Sequence, residues 1–214
     1  MKKSGLFITL EGPDGSGKTT QALLLVDYLR KNGYPAVHTR EPGGDRIAEK
    51  IRSILLAPGN KITPAGELFL YWACRSQHVE HLIRPAMAAG RFVVCERFND
   101  ATLAYQGYGR GLDREMITRM NSLAARGLSP DLTFLLDIDP ARGLRKVVQA
   151  KGAKDRFERE KLAFHRRVRR GYLALAGQEP ERIKTIAAGK SIADTHLLMI
   201  KILEEKIKLW KRRP

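Results

Sequence analysis

The sequence has few of the features that mark membrane, secreted or low-complexity proteins. Only 2 of its 214 residues are cysteine, Cys74 and Cys95, which excludes a disulfide-rich scaffold and favours a reducing, cytoplasmic location. No apolar run approaches the ~20 residues that span a bilayer. The opening MKKSGLFITLEG is reminiscent of a short signal peptide. Its apolar part has only about five residues and runs straight into a glycine-rich loop, so we interpret it as a strand.

Acidic residues are scarce relative to basic ones. The chain has 39 lysines and arginines against 23 aspartates and glutamates, a formal charge of +16. This excess favours polyanionic partners, either nucleic acid or small nucleotides. Much of it lies in residues 142–170 and 201–213. The second stretch resembles a helix end, where cations oppose the negative pole of the helix dipole, and we interpret it as a solvated basic face.

No linker, repeat or break in composition divides the chain, so we expect a single α/β domain over residues 1–214. Apolar runs alternate with helical patterns, which predicts a parallel sheet with helices on both faces. The predicted strands are Leu6–Leu10, Ala36–Thr39, Phe92–Cys95, Leu132–Ile138 and Arg182–Ala187.

Capping residues mark the predicted helix boundaries. Asn32-Gly33 closes a helix that starts at Lys18. Thr63 before Pro64 is a start signal, Asp139-Pro140 repeats it, and Ser191 is expected to cap the last helix.

Ligands in such sheets bind beyond the carboxyl ends of the strands. All the predicted ends there are charged, which ordinary packing does not require. They are Glu11, Arg40-Glu41, Glu96-Arg97 and Asp137.

Residues 12–19 match the phosphate-loop pattern G-x-x-x-x-G-K-[ST]. In such a loop, backbone N–H groups converge on phosphate oxygens and the following helix adds the positive end of its dipole. Lys18 would reach the β- and γ-phosphates, and the Thr19 hydroxyl would ligate Mg²⁺. Because the motif follows a predicted strand and opens a predicted helix, it indicates a nucleoside triphosphate site.

Other motifs narrow the class. A GTP switch would carry N-K-x-D, but the nearest string, Asn60-Lys61-Ile62-Thr63, lacks the aspartate. We also find none of the further ATPase motifs of motors and helicases. A small kinase remains, and it needs a second, acceptor-binding set of residues.

Three further stretches supply candidates for the acceptor site. Residues 39–44, TREPGG, form a tight charged turn. Tyr71 and Arg75 lie one helical turn apart on one face, so that Tyr71 either stacks on a base or packs in the core. The third predicted strand leads into Glu96 and Arg97, and a predicted glycine-rich loop at 104–111 follows.

His78 and His81 are spaced i and i+3 on a predicted helix. Without a third ligand nearby, we interpret them as part of a solvated helix face rather than a metal pair.

These stretches together make the chain resemble the thymidylate kinase family, bacterial type, within the P-loop nucleoside monophosphate kinases. The resemblance runs from Leu6 to about Tyr172 and rests on GPDGSGKTTQ, TREPGG, IRSILL, ERF, AYQGYGRG, PDLTFLLD and DRFE, in that order. It implies a five-stranded parallel sheet flanked by helices and, usually, a homodimer. The implied reaction transfers the γ-phosphoryl group of ATP to dTMP with Mg²⁺, and no membrane partner is expected.

The resemblance also implies roles for individual residues. The catalytic cations would be Lys18, Arg97 and Arg156 of a lid at about 141–156. The ATP site would be Gly12, Pro13, Asp14, Gly15, Ser16, Gly17, Lys18 and Thr19. The dTMP site would be Asp14, Arg52, Tyr71, Arg75, Arg97, Tyr105 and Gln106. Thr19 and Glu96 would serve the metal, with Glu41 as a further carboxylate beside it.

Two positions depart from the family pattern. Ala101, followed by Thr102, stands where a serine is usual, and Gly15 stands where some relatives have an arginine. Two other functions stay open at this point. One is another small P-loop nucleotide or deoxynucleoside kinase. The other is an ATP-dependent nucleic-acid-binding protein, which the basic charge would suit.

Overall fold

The computed structural model describes residues 4–151, 155–188 and 191–212. Its centre is a five-stranded sheet in the order β2-β3-β1-β4-β5, in which every pair of neighbours is parallel. The strands are β1 Phe7–Glu11, β2 Ala36–Arg40, β3 Phe92–Glu96, β4 Leu132–Asp137 and β5 Ile183–Ala187. The predicted parallel sheet is confirmed, and each predicted strand end lies within one residue of the observed end.

Helices cover both faces of this sheet. They are α1 Lys18–Lys31, α2 Arg46–Leu56, α3 Pro64–His78, α4 Arg84–Ala88, α5 Asn99–Thr102, α6 Arg114–Ala124, α7 Pro140–Lys151, α8 Leu162–Gln178 and α9 Ile192–Arg212. A π-helical segment, Val79–Ile83, joins α3 to α4, and a second, Leu103–Gly109, follows α5. The prediction of a loop at 104–111 is therefore wrong for most of its length.

The predicted caps are present. Thr63 Oγ1 accepts a hydrogen bond from the Gly66 amide at 3.2 Å at the start of α3. Ser191 Oγ accepts one from the Asp194 amide at 3.0 Å at the start of α9. Gly33 takes the left-handed backbone, with φ of 79°, that ends α1.

The core lies in layers above and below the sheet. On one face, Ile8 of β1 packs with Leu25 of α1 and Met199 of α9. On the other face, Phe7 packs with Ile83, at the junction of α3 and α4. Successive β1 side chains thus point to opposite layers, as expected for a strand covered on both sides.

The last helix returns to the start of the chain. Trp210 Nε1 donates a hydrogen bond to the Ser4 carbonyl at 2.9 Å, and the Trp210 ring packs edge-on against Phe92 at 5.0 Å between centroids. The described ends of the chain therefore meet where β1 and β3 begin. Within the described residues, no helix has the combined length and apolar character that would carry it across a bilayer.

Candidate active site

A cleft lies at the carboxyl edge of the sheet, where three strand ends are aligned. Glu96 of β3 is in register with Leu10 of β1 and with Arg40 of β2. Eleven side chains predicted from sequence line the cleft: Asp14, Lys18, Thr19, Glu41, Arg52, Tyr71, Arg75, Glu96, Arg97, Tyr105 and Gln106. Residues far apart in the chain thus form one site.

The phosphate loop holds its lysine in a buried position. Gly12 and Gly17 have φ of 134° and 93°, which L-residues rarely adopt. Lys18 Nζ donates hydrogen bonds to the carbonyls of Gly12 at 3.1 Å and Pro13 at 2.9 Å. Burial, together with the nearby charge of Arg97, lowers the pKa of Lys18 to about 7. An anion in the cleft would restore the protonated form.

Two glycines allow α7 to pack directly on the phosphate loop. A Cβ added to Gly15 would lie 2.1 Å from the Gly143 carbonyl oxygen, and one added to Gly143 would lie 2.1 Å from the Asp14 carbonyl oxygen. Since Gly15 also has φ of 72°, a larger residue there would meet both a backbone clash and an unfavourable conformation.

A hydroxyl and a carboxylate face each other beside the loop. Thr19 Oγ1 donates a hydrogen bond to Glu96 Oε2 at 2.7 Å, and His38 Nε2 lies 2.9 Å from Glu96 Oε1. Burial alone would raise the pKa of Glu96, but the hydrogen bonds from His38 and Thr19 and the charge of Lys18 lower it overall. The carboxylate is thus held ionised next to a hydroxyl. Such oxygen donors suit Mg²⁺.

Arg97 links the phosphate loop to the acceptor side. It forms an ion pair with Asp14, and its Nη1 donates to the Tyr172 hydroxyl at 3.0 Å. Its guanidinium lies 4.9 Å from the centroid of the Tyr105 ring, whose hydroxyl donates to Asp14 Oδ2 at 2.9 Å. Burial works to raise the pKa of Asp14, but Arg97 and Lys18 outweigh it and lower the pKa.

Glu11 is a buried carboxylate that contacts the neighbours of Arg97. It accepts hydrogen bonds from the Tyr172 hydroxyl at 2.8 Å and from the Phe98 amide at 2.7 Å. Burial, with the negative charge of Asp100, raises the pKa of Glu11 to about 7. Glu11 does not line the cleft; it positions Tyr172, which in turn contacts Arg97.

Arg75 is fixed by partners from three separate parts of the chain. It is only 1% exposed. Its Nε donates to Glu41 Oε2 at 2.9 Å, Nη1 to Asn121 Oδ1 at 2.7 Å and Nη2 to Thr102 Oγ1 at 2.9 Å. The hydroxyl that follows Ala101 in the sequence thus serves Arg75.

His78 occupies a place that the sequence did not indicate, beside the predicted site residue Glu41. The second Glu41 oxygen lies 3.1 Å from His78 Nδ1, so both carboxylate oxygens have protein partners, while Glu41 also lines the cleft. His78 is fully buried, with Nε2 2.7 Å from Thr39 Oγ1. The interpretation of a solvated face is therefore wrong for His78, because α3 turns this side chain towards β2; His81 is exposed as expected.

Tyr71 and Gln106 form the wall opposite the phosphate loop. Tyr71 is half-buried, with its ring centroid 6.1 Å from that of Phe157, and it also lines the cleft. Gln106 lies in the second π-helical segment, where its Nε2 donates to Glu67 Oε1 at 2.8 Å. Arg52 lies nearby, with Nη1 donating to the Pro42 carbonyl at 2.7 Å.

Arg156 lies behind this wall rather than in the cleft. Its Nη1 donates to Glu67 Oε2 and its Nε to the Leu55 carbonyl, both at 2.7 Å. The buried Glu67 carboxylate thus holds the guanidinium away from the phosphate loop, and Arg156 is not among the side chains that line the cleft. Lys146 of α7 does line it. Of the predicted lid at 141–156, residues 152–154 lie outside the described residues.

Comparison with known proteins gives the same family that the sequence motifs resemble. A family model described as thymidylate kinase matches residues 10–198. A thymidylate kinase of Desulfosudis oleivorans is 52% identical over 206 residues, which cover 93% of this chain and 96% of that protein. One from a Synechococcus strain is 51% identical over 204 residues, covering 95% and 97%.

Solved structures give the same result. The crystal structure of thymidylate kinase from Ehrlichia chaffeensis superposes with a TM-score of 0.76 at 35% identity. The match covers 94% of this chain and 99% of that one.

Proposed function

The chain belongs to the thymidylate kinase family, and from this premise we propose how the cleft divides the family's reaction among its residues. The reaction is the ATP-dependent phosphorylation of dTMP to dTDP. An oxygen of the dTMP phosphate forms a bond to the γ-phosphorus of ATP while the bond from that phosphorus to the β,γ-bridging oxygen breaks, and ADP leaves.

The donor half is the phosphate loop. Residues 12–19 would surround the ATP phosphates with backbone N–H groups, and Lys18 would leave its loop carbonyls for the β- and γ-phosphates. The pairing of Thr19 with Glu96 supports a Mg²⁺ position between the loop and β3. Bound there, the ion would neutralise phosphate charge.

The acceptor half is the wall on the other side of Arg97. Arg97 and Arg52 would hold the dTMP phosphate, since a guanidinium offers paired donors to phosphate oxygens. Tyr71 would stack on the thymine, while Arg75 and Gln106 would hydrogen-bond its edge. Tyr105 and Asp14 would lie at the sugar, where they already contact each other.

The chemistry itself demands positioning and charge neutralisation more than a strong base. A phosphate monoester is already ionised near neutral pH, so no side chain need remove a proton. Lys18 and Arg97 would supply the neutralising charge. Lys146 is a further candidate, because it lines the cleft, whereas Arg156 would have to leave Glu67 to take part.

One observation carries this assignment: Arg97 contacts the phosphate loop and also borders the wall that holds Tyr71 and Gln106. Measuring kcat/KM with ATP and dTMP, dUMP, dCMP or thymidine as acceptor tests it. We expect dTMP to be preferred. Equal use of dCMP, or preference for thymidine, which would favour a deoxynucleoside kinase, would overturn the assignment.

We also propose a homodimer and a cytoplasmic location. Five exposed apolar side chains, Ile47, Ile54, Phe69, Met116 and Leu123, lie on α2, α3 and α6. These helices pack in that order, and such a face favours a self-complementary partner. Both cysteines are free thiols, which suits a reducing compartment.

A further inference from the structure

Glu67 is a fully buried carboxylate directly behind the wall that would recognise the base. It is 0% exposed and lies on α3, one helical turn before Tyr71. Besides the bonds from Gln106 Nε2 and Arg156 Nη1, it accepts hydrogen bonds from Arg110 Nη2 at 3.1 Å and Nε at 3.3 Å. It does not line the cleft, so any effect on substrate passes through one of these partners.

The contact with Gln106 fixes which end of an amide faces Glu67. A side-chain amide has one accepting and one donating end, whereas an ionised carboxylate only accepts. Nε2 therefore points to Glu67 at 2.8 Å. The reversed amide would place Oε1 against the carboxylate with no proton between the two acceptors, which is unfavourable. Among the described residues, none donates to Gln106 Oε1.

The orientation of the Gln106 amide decides which base it can hydrogen-bond. Thymine presents its N3–H as a donor beside the O4 acceptor, and Gln106 with Oε1 free complements that pair. Cytosine presents an unprotonated N3 beside an amino group, so it requires the reversed amide. A single rotation of the Gln106 amide would therefore convert a thymine-binding edge into a cytosine-binding one.

We propose that Glu67 is a specificity-determining positioning residue, which locks the Gln106 amide in the orientation that accepts thymine and rejects cytosine. The proposal rests on the function proposed above, in which Gln106 faces the N3 edge of dTMP. Arg110 and Arg156 hold the Glu67 carboxylate in place, because they occupy its remaining acceptor positions.

Glu67→Gln is the test, because a glutamine at 67 can either donate or accept and so satisfies both orientations of Gln106. We expect the ratio of kcat/KM for dTMP to that for dCMP to fall by roughly tenfold. The matched control is Glu160→Gln. It removes the other carboxylate on Arg110, 2.6 Å from Nη1, and should leave the ratio unchanged.

The same substitution, made in a variant that lacks the Gln106 amide, tests whether Glu67 acts through Gln106. In Gln106→Leu, the further change Glu67→Gln should leave the ratio where Gln106→Leu alone has put it. If Glu67→Gln does not fold, because two guanidinium groups have lost their carboxylate, the charge-balanced double variant Glu67→Gln/Arg110→Gln replaces it, compared with Arg110→Gln alone.

The outcomes separate this inference from the function on which it rests. If the wild type itself fails to prefer dTMP over dCMP, the proposed function fails, and this inference fails with it. If the wild type is selective but folded Glu67→Gln keeps its full ratio, only the role of Glu67 is overturned. An equal fall of the ratio in the Gln106→Leu background would overturn it too.

Discussion

Arg97 is held in a backbone conformation that is unfavourable for any residue with a Cβ. Its φ of 68° lies in the left-handed region, which costs on the order of 1–2 kcal/mol. The contacts to Asp14 and Tyr172 compensate for it and keep the guanidinium in the cleft. The backbone strain and the proposed acceptor role therefore belong to the same residue.

This conformation makes a matched pair of variants possible. Arg97→Ala and Arg97→Gly both remove the guanidinium, and both should weaken dTMP binding by roughly tenfold to a hundredfold with a smaller effect on ATP. Arg97→Gly should be the more stable of the two by about 1 kcal/mol, because only glycine relieves the backbone. Calorimetric titration with each nucleotide and urea unfolding measure the two effects. Equal losses for ATP and dTMP would contradict the acceptor role.

Lys18 links its proposed role in phosphoryl transfer to the pH dependence of stability. Burial lowers its pKa from 10.5 to about 7 in the folded protein. Between these values the unfolded chain binds the proton more tightly, so the contribution of Lys18 to the free energy of unfolding rises as pH rises from about 7 towards 10.5. Lys18→Met should remove that rise and also lower phosphoryl transfer by at least about a hundredfold.

Urea unfolding of wild type and Lys18→Met at about pH 7 and about pH 9 measures the first effect. We expect the stability difference between the two proteins to shift in favour of wild type at the higher pH. A pH-independent difference would show that the lysine is not held in a desolvated position. Near-normal turnover by the folded variant would count against the phosphate-loop assignment.

Local patterns predicted the phosphate loop, but not the contacts that fix the acceptor wall. GPDGSGKT forms one continuous motif. By contrast, Arg75 and Asn121 are 46 positions apart, and Arg156 and Glu67 are 89 apart. An acid in the first turn of a helix, such as Glu67, is also what the helix dipole favours, so its position carried no distinct signal.

At the level of elements, apolar runs predicted the five strands, and capping residues predicted the end of α1 and the starts of α3 and α9. The π-helical segment Leu103–Gly109 was missed because its two glycines, with a third at Gly111, are typical of a loop. Packing decides otherwise: Tyr105 is buried against Phe164, and a Cβ on Gly109 would meet Phe164 at 2.7 Å. Contacts with α8 therefore override the local preference.

The packing of α7 on the phosphate loop, a contact between two elements, can be tested by substitution. Gly143→Ala puts a methyl group where the Asp14 carbonyl oxygen is 2.1 Å away, so α7 must move off the loop. We expect the KM for ATP to rise and kcat to fall. Gly177→Ala in α8 is the control, because nothing lies within 4 Å of its added Cβ. It should be neutral or stabilise the protein by about 0.5–1 kcal/mol. Identical kinetics for the two variants would contradict the proposed coupling of α7 to the loop.

For the whole molecule, the exposed apolar face on α2, α3 and α6 predicts the assembly state. Phe69 is 63% exposed on this face, and Phe69→Asp should convert the proposed dimer into a monomer in sedimentation velocity. Leu197→Asp is the matched control, because Leu197 is 64% exposed on α9, which packs on the other side of the sheet with α1. A monomeric wild type, or a dimeric Phe69→Asp, would show that this face is not the interface.

The contact between Trp210 and Ser4 brings the two ends of the described chain together. They meet where β1 and β3 begin, at the edge of the sheet opposite the cleft. A short linker across that gap would permit circular permutation, with new ends opened at the exposed Gly59 between α2 and α3. Tethers to a solid support or fusion partners attached near Ser4 or Trp210 would likewise stand clear of the cleft that is proposed to bind the nucleotides.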